Sequence, residues 1–272
     1  HDEVAEDVTL LYMDITWREL EPEEGVFDWA AIEEENQLKR WRAEGKHIVL
    51  PFLCDLPGEE DHRDIPDWLW EKTGGAGEAY ANSYGRGFSP DYSHPEFIAC
   101  HQRAVKALGE RYGGDDFISF IELGSLGHWG EWHIHTSDGL PPMPDQQVRA
   151  QYVEHWVAAF PNARILMRRP FAEAQEHGLG LYNDMSGYPE ATAQWLDWIY
   201  QGGEYDQTGE ADALVPMPDA WKTAPVGGEL TSSLPMEQML DEQLETTIAL
   251  LRDSHTTFLG PNIPEKEDVT EE

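Results

Sequence analysis

The sequence predicts an α/β fold, specifically a (β/α)8 barrel, and three observations support this prediction. Seven apolar, β-branched segments alternate with segments of helical periodicity along the 272 residues, a pattern typical of parallel strands joined by crossover helices. The chain is long enough for one barrel domain of ~250 residues. The glycine-rich turn GxGxxG, usual after the first strand of a doubly wound open sheet, does not occur in the sequence, which disfavours that competing fold.

The predicted strands are apolar runs that end in Gly, Pro or acidic residues. In chain order they cover 8–17, 47–55, 117–125, 164–170, 180–187, 224–233 and 255–262. Seven strands are one short of a closed eight-stranded barrel. We therefore expect the first strand to be missing or trimmed before residue 8, where the chain begins abruptly.

Helical patterns follow most of the predicted strands. They cover 30–45, 95–114, 145–161, 171–177, 189–203 and 236–253. Pro95 suits the first turn of its helix, and Gly45 and Gly113 suit helix C-termini. The stretch from 55 to 93 is rich in Gly, Pro and aromatic residues and too long for a plain connection, which predicts an irregular functional or partly mobile segment. We interpret residues 1–262 as a single domain and 263–272 as an acidic tail or linker.

The charge balance restricts the partners of the protein. Lys and Arg number 18 against 53 Asp and Glu, a formal charge of −35. Such a field repels nucleic acid and anionic membrane surfaces, and an acidic surface is typical of salt-adapted or secreted proteins. The sequence has no apolar run long enough for a membrane span and no recognisable signal peptide, although we expect an extracellular or cell-surface location.

Metal and cofactor chemistry has little support in the sequence. Cys54 and Cys100 lie far apart and in no metal-ligand spacing. The segment HWGEWH (128–133) is dense in ligand types, but it does not match HExxH on a helix. We therefore expect neither a metal nor a cofactor.

Polar and aromatic residues gather at the C-terminal ends of the predicted strands, where barrels of this class place their active sites. Tryptophan faces stack against the C–H faces of sugar rings, while carboxylates, Asn and Arg bond sugar hydroxyls, and the chain has eleven tryptophans. The pattern predicts a carbohydrate site. Its candidate binding residues are Asp14, Trp17, Glu122, His128, Trp129, Trp132, His133, Arg168, Asn183 and Asp184.

Two carboxyl groups that flank a glycosidic bond suffice for its hydrolysis, one as acid and the other as nucleophile or base. Glu131 and Glu229 follow strands four and seven of a full barrel and are the predicted pair. Glu122 belongs to a strand, so we expect a structural or supporting role for it. Glu131 lies on the rim between Trp129 and Trp132, and we expect these indoles to raise its pKa by excluding water.

The segment WRELEPEEGVFDW (17–29) resembles a motif of family 42-type β-galactosidases and related barrels, and IPDWL (65–69) is similar to their P-x-W-L. The set IELGSLGHWGEWH, SPDYSHPEF with VKALGERY, LYNDMSG and VGGEL resembles the DUF4832 family of glycoside-hydrolase-like barrels. This resemblance covers most of residues 8–262 and implies a barrel that binds or cleaves carbohydrate. By analogy it places the acid/base and the nucleophile at Glu131 and Glu229.

One position departs from that pattern. Gly130 precedes Glu131 where the related enzymes have Asn, an arrangement similar to β-amylase-like barrels. The stereochemical outcome and the choice between Glu122 and Glu131 therefore stay open. The sequence predicts an O-glycosyl hydrolase of a bacterial oligo- or polysaccharide; the alternative is a catalytically silent carbohydrate-binding barrel within a larger surface or secreted protein.

Overall fold

The structure is a computed structural model that describes residues 8–135 and 139–260. The chain divides into two compact units. The first comprises His1–Ile165 with Asp206–Gly209, and the second comprises Leu166–Tyr205 with Glu210–Glu272. The predicted tail 263–272 and the region before residue 8 lie outside the described residues.

The first unit begins with two extended segments, each of which a short break divides into two strands. They are β1 (Leu10–Tyr12) with β2 (Ile15–Thr16), and β3 (His47–Leu50) with β4 (Phe52–Leu53). β1 pairs with β3 and β2 with β4, both in parallel. Their apolar side chains Val49, Leu50 and Phe52 are fully buried. The predicted strands 8–17 and 47–55 are thereby confirmed.

Three helices lie between these strands. They are α1 (Trp17–Leu20), α2 (Trp29–Glu35) and α3 (Leu38–Ala43). The single helix predicted over 30–45 is wrong in continuity, because Gln37 adopts a left-handed conformation with φ of 51° and separates α2 from α3. Such a conformation is incompatible with a continuing right-handed helix.

The segment 55–93 is more regular than predicted. It contains helix α4 (Asp67–Lys72) and an antiparallel hairpin of β5 (Gly77–Asn82) and β6 (Gly85–Pro90). Tyr80 lies opposite Gly87, and a Cβ atom at Gly87 would lie only 2.6 Å from the Tyr80 hydroxyl oxygen. Glycine at this position therefore lets the Tyr80 side chain lie across the neighbouring strand.

The first unit continues with α5 (Pro95–Tyr112), β7 (Ile118–Glu122) and α6 (Gln146–Ala159). Pro95 occupies the first turn of α5, and β7 pairs in parallel with β3, as predicted. α5 packs closely on α6, because Gly109 leaves no room for a Cβ atom, which would lie 2.4 Å from the Ala159 carbonyl oxygen.

The second unit repeats the alternation of strand and helix, starting within β8, whose first two residues are assigned to the first unit. Its elements are β8 (Arg164–Met167), α7 (Ala172–His177), β9 (Gly180–Ser186), α8 (Pro189–Gln201), the antiparallel pair β10 (Gly203–Tyr205) and β11 (Glu210–Leu214), β12 (Val226–Leu230) and α9 (Leu244–Asp253). β9 pairs in parallel with both β8 and β12. The pair β10–β11 was not predicted.

Two predictions in the second unit need correction. The helix expected over 236–253 is divided into a π-helix at Gln238–Glu242 and α9. The strand expected over 255–262 appears among the described residues only as an extension along β12, where Thr257 and Gly260 donate backbone hydrogen bonds to Val226 and Gly228. Its last two residues lie outside the described residues.

Candidate active site

The loop that follows β7 carries most of the site residues predicted in the first unit, and its backbone is strained. Six non-glycine residues of the described chain have positive φ, and Ser125, Trp129 and Trp132 are three of them. Each such residue costs on the order of 1 kcal/mol or more, and such conformations concentrate at functional sites. This clustering singles out the loop.

Backbone hydrogen bonds hold the loop against the end of β4. Ser125 N donates to the Phe52 carbonyl at 2.7 Å, and Trp129 N donates to the Asp55 carbonyl at 2.8 Å. Gly124 permits this approach, since a Cβ atom there would lie 2.5 Å from the same Phe52 oxygen. The strained conformation is thus fixed by contacts to a neighbouring strand.

Partly exposed aromatic rings from two segments meet at the outer part of this loop. Trp129 and His133 stack with centroids 5.9 Å apart and an interplanar angle of 27°. Tyr84, at the tip of the β5–β6 hairpin, lies 5.2 Å from Trp129 and 5.8 Å from His133. Tyr84 is 41% exposed. The three rings form an aromatic surface, which we call the Trp129–His133–Tyr84 surface.

Glu131 lies beside this surface. Its side chain is 23% exposed, and its Oε2 is 3.6 Å from His133 Nδ1. The backbone N–H of Glu131 donates to the His128 carbonyl at 3.0 Å. The loop thus presents a carboxyl group that solvent reaches next to aromatic rings, and such a group can exchange a proton with a bound molecule.

A buried polar cluster underlies the surface. The Asp55 carboxylate, fully buried, accepts a 2.6 Å hydrogen bond from the Tyr80 hydroxyl and lies 2.9 Å from His128 Nδ1. Burial and the Asp55 charge raise the pKa of Tyr80, so the phenol stays protonated and acts as donor. His128, a predicted binding residue, is fully buried and lies under the aromatic rings.

Ser125 belongs to a second buried network. Its hydroxyl lies 2.7 Å from His101 Nε2 and accepts a 3.0 Å hydrogen bond from Trp156 Nε1. His101 Nδ1 lies 2.9 Å from His155 Nδ1. Burial lowers the pKa of His101 well below its usual value and that of His155 to about 4. Both rings are therefore neutral at pH 7 and hold the loop by hydrogen bonds.

Two of the three tryptophans expected to meet sugar are core residues in the structure. Trp17 is fully buried among Phe52, Phe97 and Trp68. Trp132 is 1% exposed and donates its indole N–H to the Leu123 carbonyl at 2.9 Å. Since a stacking interaction needs an accessible ring face, neither indole offers one to a sugar in this structure.

The motif WRELEPEEGVFDW is also structural. Glu21 is fully buried and accepts hydrogen bonds from Trp17 Nε1 at 2.9 Å, Gly25 N at 2.7 Å and Arg103 Nη2 at 2.8 Å. A buried carboxylate needs such partners. Glu21 of the EPxxG pattern therefore stabilises the turn after α1 through Gly25 and connects this turn to α5 through Arg103.

Asp14 and Glu122 occupy different surroundings. Asp14 lies in the break between β1 and β2 and is exposed. Glu122, at the end of β7, is 5% exposed, and its Oε1 accepts a 2.7 Å hydrogen bond from the Tyr12 hydroxyl. This hydrogen bond links the end of β7 to β1.

Four predicted site residues lie in the second unit. Arg168 and Asp184 form a two-pronged ion pair at 2.7 and 2.5 Å, with side chains 13% and 11% exposed. Asn183 is buried, and its amide donates to Thr192 Oγ1 at 3.2 Å. These side chains therefore bond one another and their neighbours within the unit.

Glu229 lies near the end of β12 and is partly exposed. The two glycines before it allow close packing. A Cβ atom at Gly228 would lie 2.3 Å from the Asn183 carbonyl oxygen, and one at Gly227 would overlap the ring of Phe258. The sequence VGGEL thus brings the backbone of β12 directly against β9 and places Glu229 just beyond this contact.

The structure adds site residues that the sequence interpretation did not select. They are Tyr80, Tyr84, His101 and Ser125 as contacts of the loop, together with Asp55 as a buried acceptor. The two-residue spacing between Asn82 and Gly85, residue types common at turns, is the one local signal for the hairpin tip that carries Tyr84.

No three His, Cys, Asp or Glu side chains in residues 8–135 and 139–260 come together in a way that could hold a metal ion. In the same ranges, no helix is long and apolar enough to span a membrane.

Comparisons with known proteins give a likeness in structure only. No known family model matches the chain, and no curated protein matches it. Exo-β-1,4-mannosidase Op5Man5 from Opitutaceae bacterium strain TAV5 is similar with a TM-score of 0.57 and 12% identity, over 97% of this chain and 48% of that one. Endo-glycoceramidase II from Rhodococcus sp., in complex with ganglioside GM3, gives a TM-score of 0.52 and 13% identity, over 96% and 67%.

The chain spans about half the length of the mannosidase and two thirds of the endo-glycoceramidase chain. At such low identity the likeness concerns the fold. Both proteins are glycoside hydrolases with TIM-barrel folds. The predicted α/β fold is confirmed: the chain has the (β/α)8 barrel fold that these glycoside hydrolases share.

Proposed function

We propose that this barrel hydrolyses an O-glycosidic bond in an oligo- or polysaccharide, with Glu131 as general acid/base and Glu229 as nucleophile or base. The observation that carries the proposal is the partly exposed Glu131 carboxyl on a strained loop beside the Trp129–His133–Tyr84 surface. The barrel fold of known glycoside hydrolases supports the assignment.

Glu131 would act on the leaving-group oxygen. A protonated carboxyl donates its proton as the glycosidic bond breaks, and the carboxylate then accepts a proton from the incoming water. Trp129 offers the apolar ring face on which a sugar can stack, and His133, 3.6 Å from Glu131, is a nearby polar partner. Trp17 and Trp132 hold the loop and the barrel core and are not part of the proposed sugar contact.

Glu229 would act at the anomeric carbon, either directly or through water. In barrels of this class the residues that follow the strands share one rim, where catalytic groups from several strands can meet a substrate. The position of Glu229 near the end of β12 and its partial exposure support this role. Asp14, Asn183, Asp184 and Arg168 remain proposed partners for sugar hydroxyl or carboxylate groups.

The closer relationship to DUF4832 barrels and family 42-type β-galactosidases is part of the proposal, as is a secreted or cell-surface location. The motifs that resemble those families support the first, and the charge of −35 supports the second. The bacterial origin of the polysaccharide is likewise proposed from the resemblance.

The test compares the wild type with Glu131→Gln and Glu229→Gln on aryl β-mannosides, β-glucosides and β-galactosides and on plant and bacterial polysaccharides. We expect kcat to fall by roughly 10³-fold or more for both variants, since each removes a group that acts in the transition state. Glu110→Gln on α5 and Glu190→Gln on α8 are matched controls, because both glutamates are exposed and lie on helices.

A leaving-group series separates the two roles. Glu131→Ala should cleave substrates with highly activated phenolate leaving groups far better than natural glycosides, since such leaving groups need no proton, whereas Glu229→Ala should lose both activities. Hydrolysis that is unaffected by both substitutions would contradict the assignment. Sugar binding without turnover under all conditions would identify the chain as a carbohydrate-binding barrel instead.

A further inference from the structure

A cavity in the first unit is lined in part by residues of the β5–β6 hairpin. It is a cavity of 880 Å³, and its walls come from the end of β2 at Thr16, the segment after β4 at Leu56 and the hairpin at Tyr80 and Ala81. This volume falls in the range of small-molecule sites, ~300–1,000 Å³. Thr16 is the last residue of β2 and Leu56 follows β4, so both lie at the strand ends where barrels bind their substrates.

The charges around this cavity are balanced, unlike those of the whole chain. Its lining includes three arginines and three carboxylates, whereas the chain has 18 basic against 53 acidic residues. The charged lining residues are Arg18, Arg63, Arg86, Glu19, Asp61 and Asp64, and His62 adds a titratable ring. The charges of the lining residues themselves are therefore balanced, in contrast to the strongly acidic chain as a whole.

The arginines of the cavity already have carboxylate partners. Arg18 and Arg63 both bind Asp67, at 2.7 Å each, and Arg86 binds Asp61 at 2.8 Å. An incoming anion would compete with these carboxylates and would face Glu19 and Asp64 as well. A neutral ligand with many hydroxyl groups avoids that repulsion, because hydroxyls can donate to the carboxylates and accept from the guanidinium groups.

The hairpin connects this cavity with the proposed catalytic loop. Tyr80 lines the cavity, while its ring lies 4.8 Å from His128 and its hydroxyl bonds Asp55. Four residues further on, Tyr84 contacts Trp129 in the aromatic surface beside Glu131. One hairpin thus borders both the cavity and the Trp129–His133–Tyr84 surface.

We infer that the 880 Å³ cavity is an additional subsite that binds a neutral sugar unit of an oligosaccharide whose scissile bond lies at Glu131. This inference rests on the proposed glycosidase function and adds that the substrate is a neutral oligosaccharide longer than the unit held at the catalytic loop. The arginines and carboxylates bind its hydroxyls, and the small side chains of Ala79 and Ala81 leave room for the ring.

The test uses β-1,4-linked manno- and gluco-oligosaccharides of two to six units, with kcat/KM measured for each length and Kd measured by calorimetry. Ala81→Trp places an indole at the cavity, and Arg86→Gln removes one cation from an exposed ion pair of little stabilising value. The matched control is Ala31→Trp, which makes the same change at an exposed alanine of α2 outside the cavity. Thermal melting checks that all variants fold.

We expect wild-type kcat/KM to rise with chain length. Ala81→Trp should lower the ratio of kcat/KM for the hexasaccharide to that for the disaccharide by about tenfold, and Arg86→Gln should lower it by about threefold, amounts that correspond to the loss of one or two hydrogen bonds or a stacked ring. Ala31→Trp should leave the ratio unchanged.

Three results would overturn the inference. If all variants keep the wild-type ratio while hydrolysis still depends on Glu131, the cavity is not a subsite and the proposed function stands. A preference for uronic-acid oligosaccharides over neutral ones would contradict the neutral ligand. If the wild type neither binds nor cleaves any oligosaccharide, the proposed function fails and the subsite fails with it.

Discussion

The hydroxyl oxygen of Ser125 and Nε2 of His101 lie 2.7 Å apart in the interior of the first unit, and both residues are fully buried. Ser125 has a φ of 74° at the start of the loop that carries Glu131. His101 in turn lies 2.9 Å from His155. A chain of neutral histidines thus holds the first strained residue of the proposed catalytic loop.

This arrangement predicts a loss of stability in mild acid. Burial lowers the pKa of His155 from 6.5 to about 4 and lowers the pKa of His101 well below its usual value, so the unfolded chain binds protons more readily. The contribution of these residues is complete above pH ~6.5 and is lost as the pH falls toward 4. Thermal melting between pH 8 and 4 should show this decline.

The variant His155→Gln should flatten the decline, because one of the two depressed groups is gone. His177→Gln, at an exposed position of α7, should follow the wild-type curve. A wild-type midpoint that does not move between pH 7 and 5, or an equal slope in His155→Gln, would contradict the assignment.

Tyr80→Phe should destabilise the protein by about 1–3 kcal/mol, because the fully buried Asp55 carboxylate loses its 2.6 Å hydrogen bond. Urea unfolding measures the change. Tyr84→Phe is the matched control, because the Tyr84 side chain is 41% exposed. This substitution should change the free energy of unfolding by less than ~0.5 kcal/mol. Equal effects of the two substitutions would disprove the role of the Asp55 contact.

Trp129→Gly should separate stability from sugar binding. The substitution relieves a left-handed conformation with φ of 54°, which offsets part of the lost packing on His133 and Tyr84, so the net stability change should stay within ~1 kcal/mol. The affinity for sugar should fall by roughly tenfold, the equivalent of one stacked ring pair. Trp129→Phe retains a ring and should bind more tightly than Trp129→Gly; the reverse order would argue against stacking at this position.

Gly124→Ala should destabilise the first unit by about 1–3 kcal/mol, since the new Cβ atom would lie 2.5 Å from the Phe52 carbonyl oxygen, a backbone atom that cannot turn away. Gly114→Ala is the control, because no heavy atom lies within 4 Å of a Cβ atom built there. We expect that control to be neutral or slightly stabilising. Similar unfolding curves for both variants would show that the loop tolerates displacement from β4.

Much of the fold was readable from local patterns. The strands at 47–55 and 117–125 and the helix from Pro95 were predicted close to their observed bounds, because apolar periodicity and terminal Pro or Gly act within one element. The helix over 30–45 failed at Gln37, whose left-handed conformation has no signal in its residue type. The hairpin β5–β6 was missed because its strands are rich in glycine and short of β-branched residues.

In the candidate site, too, local sequence patterns predict some features and leave others undetermined. Trp17 and Trp129 are both tryptophans at strand ends, and nothing local distinguishes them. Packing of α5 and Trp68 buries the first, while the second lies on a turn of left-handed backbone that leaves its ring partly exposed. Whether an indole serves the core or a ligand depends on segments far away in the sequence.

Three features can be read directly from the amino-acid sequence: the alternation of parallel strands and helices, the extreme acidic charge, and the concentration of carboxyl and aromatic groups around Glu131. These follow from periodicity and composition, which act over a few residues. Other features are visible only in the folded chain: Glu21 binds the backbone of the turn at Gly25, His101 bonds Ser125, and Tyr84 contacts Trp129. Each of these contacts joins side chains brought together by packing or by turn geometry, and hydrogen-bond partners and burial exist only once the chain is folded.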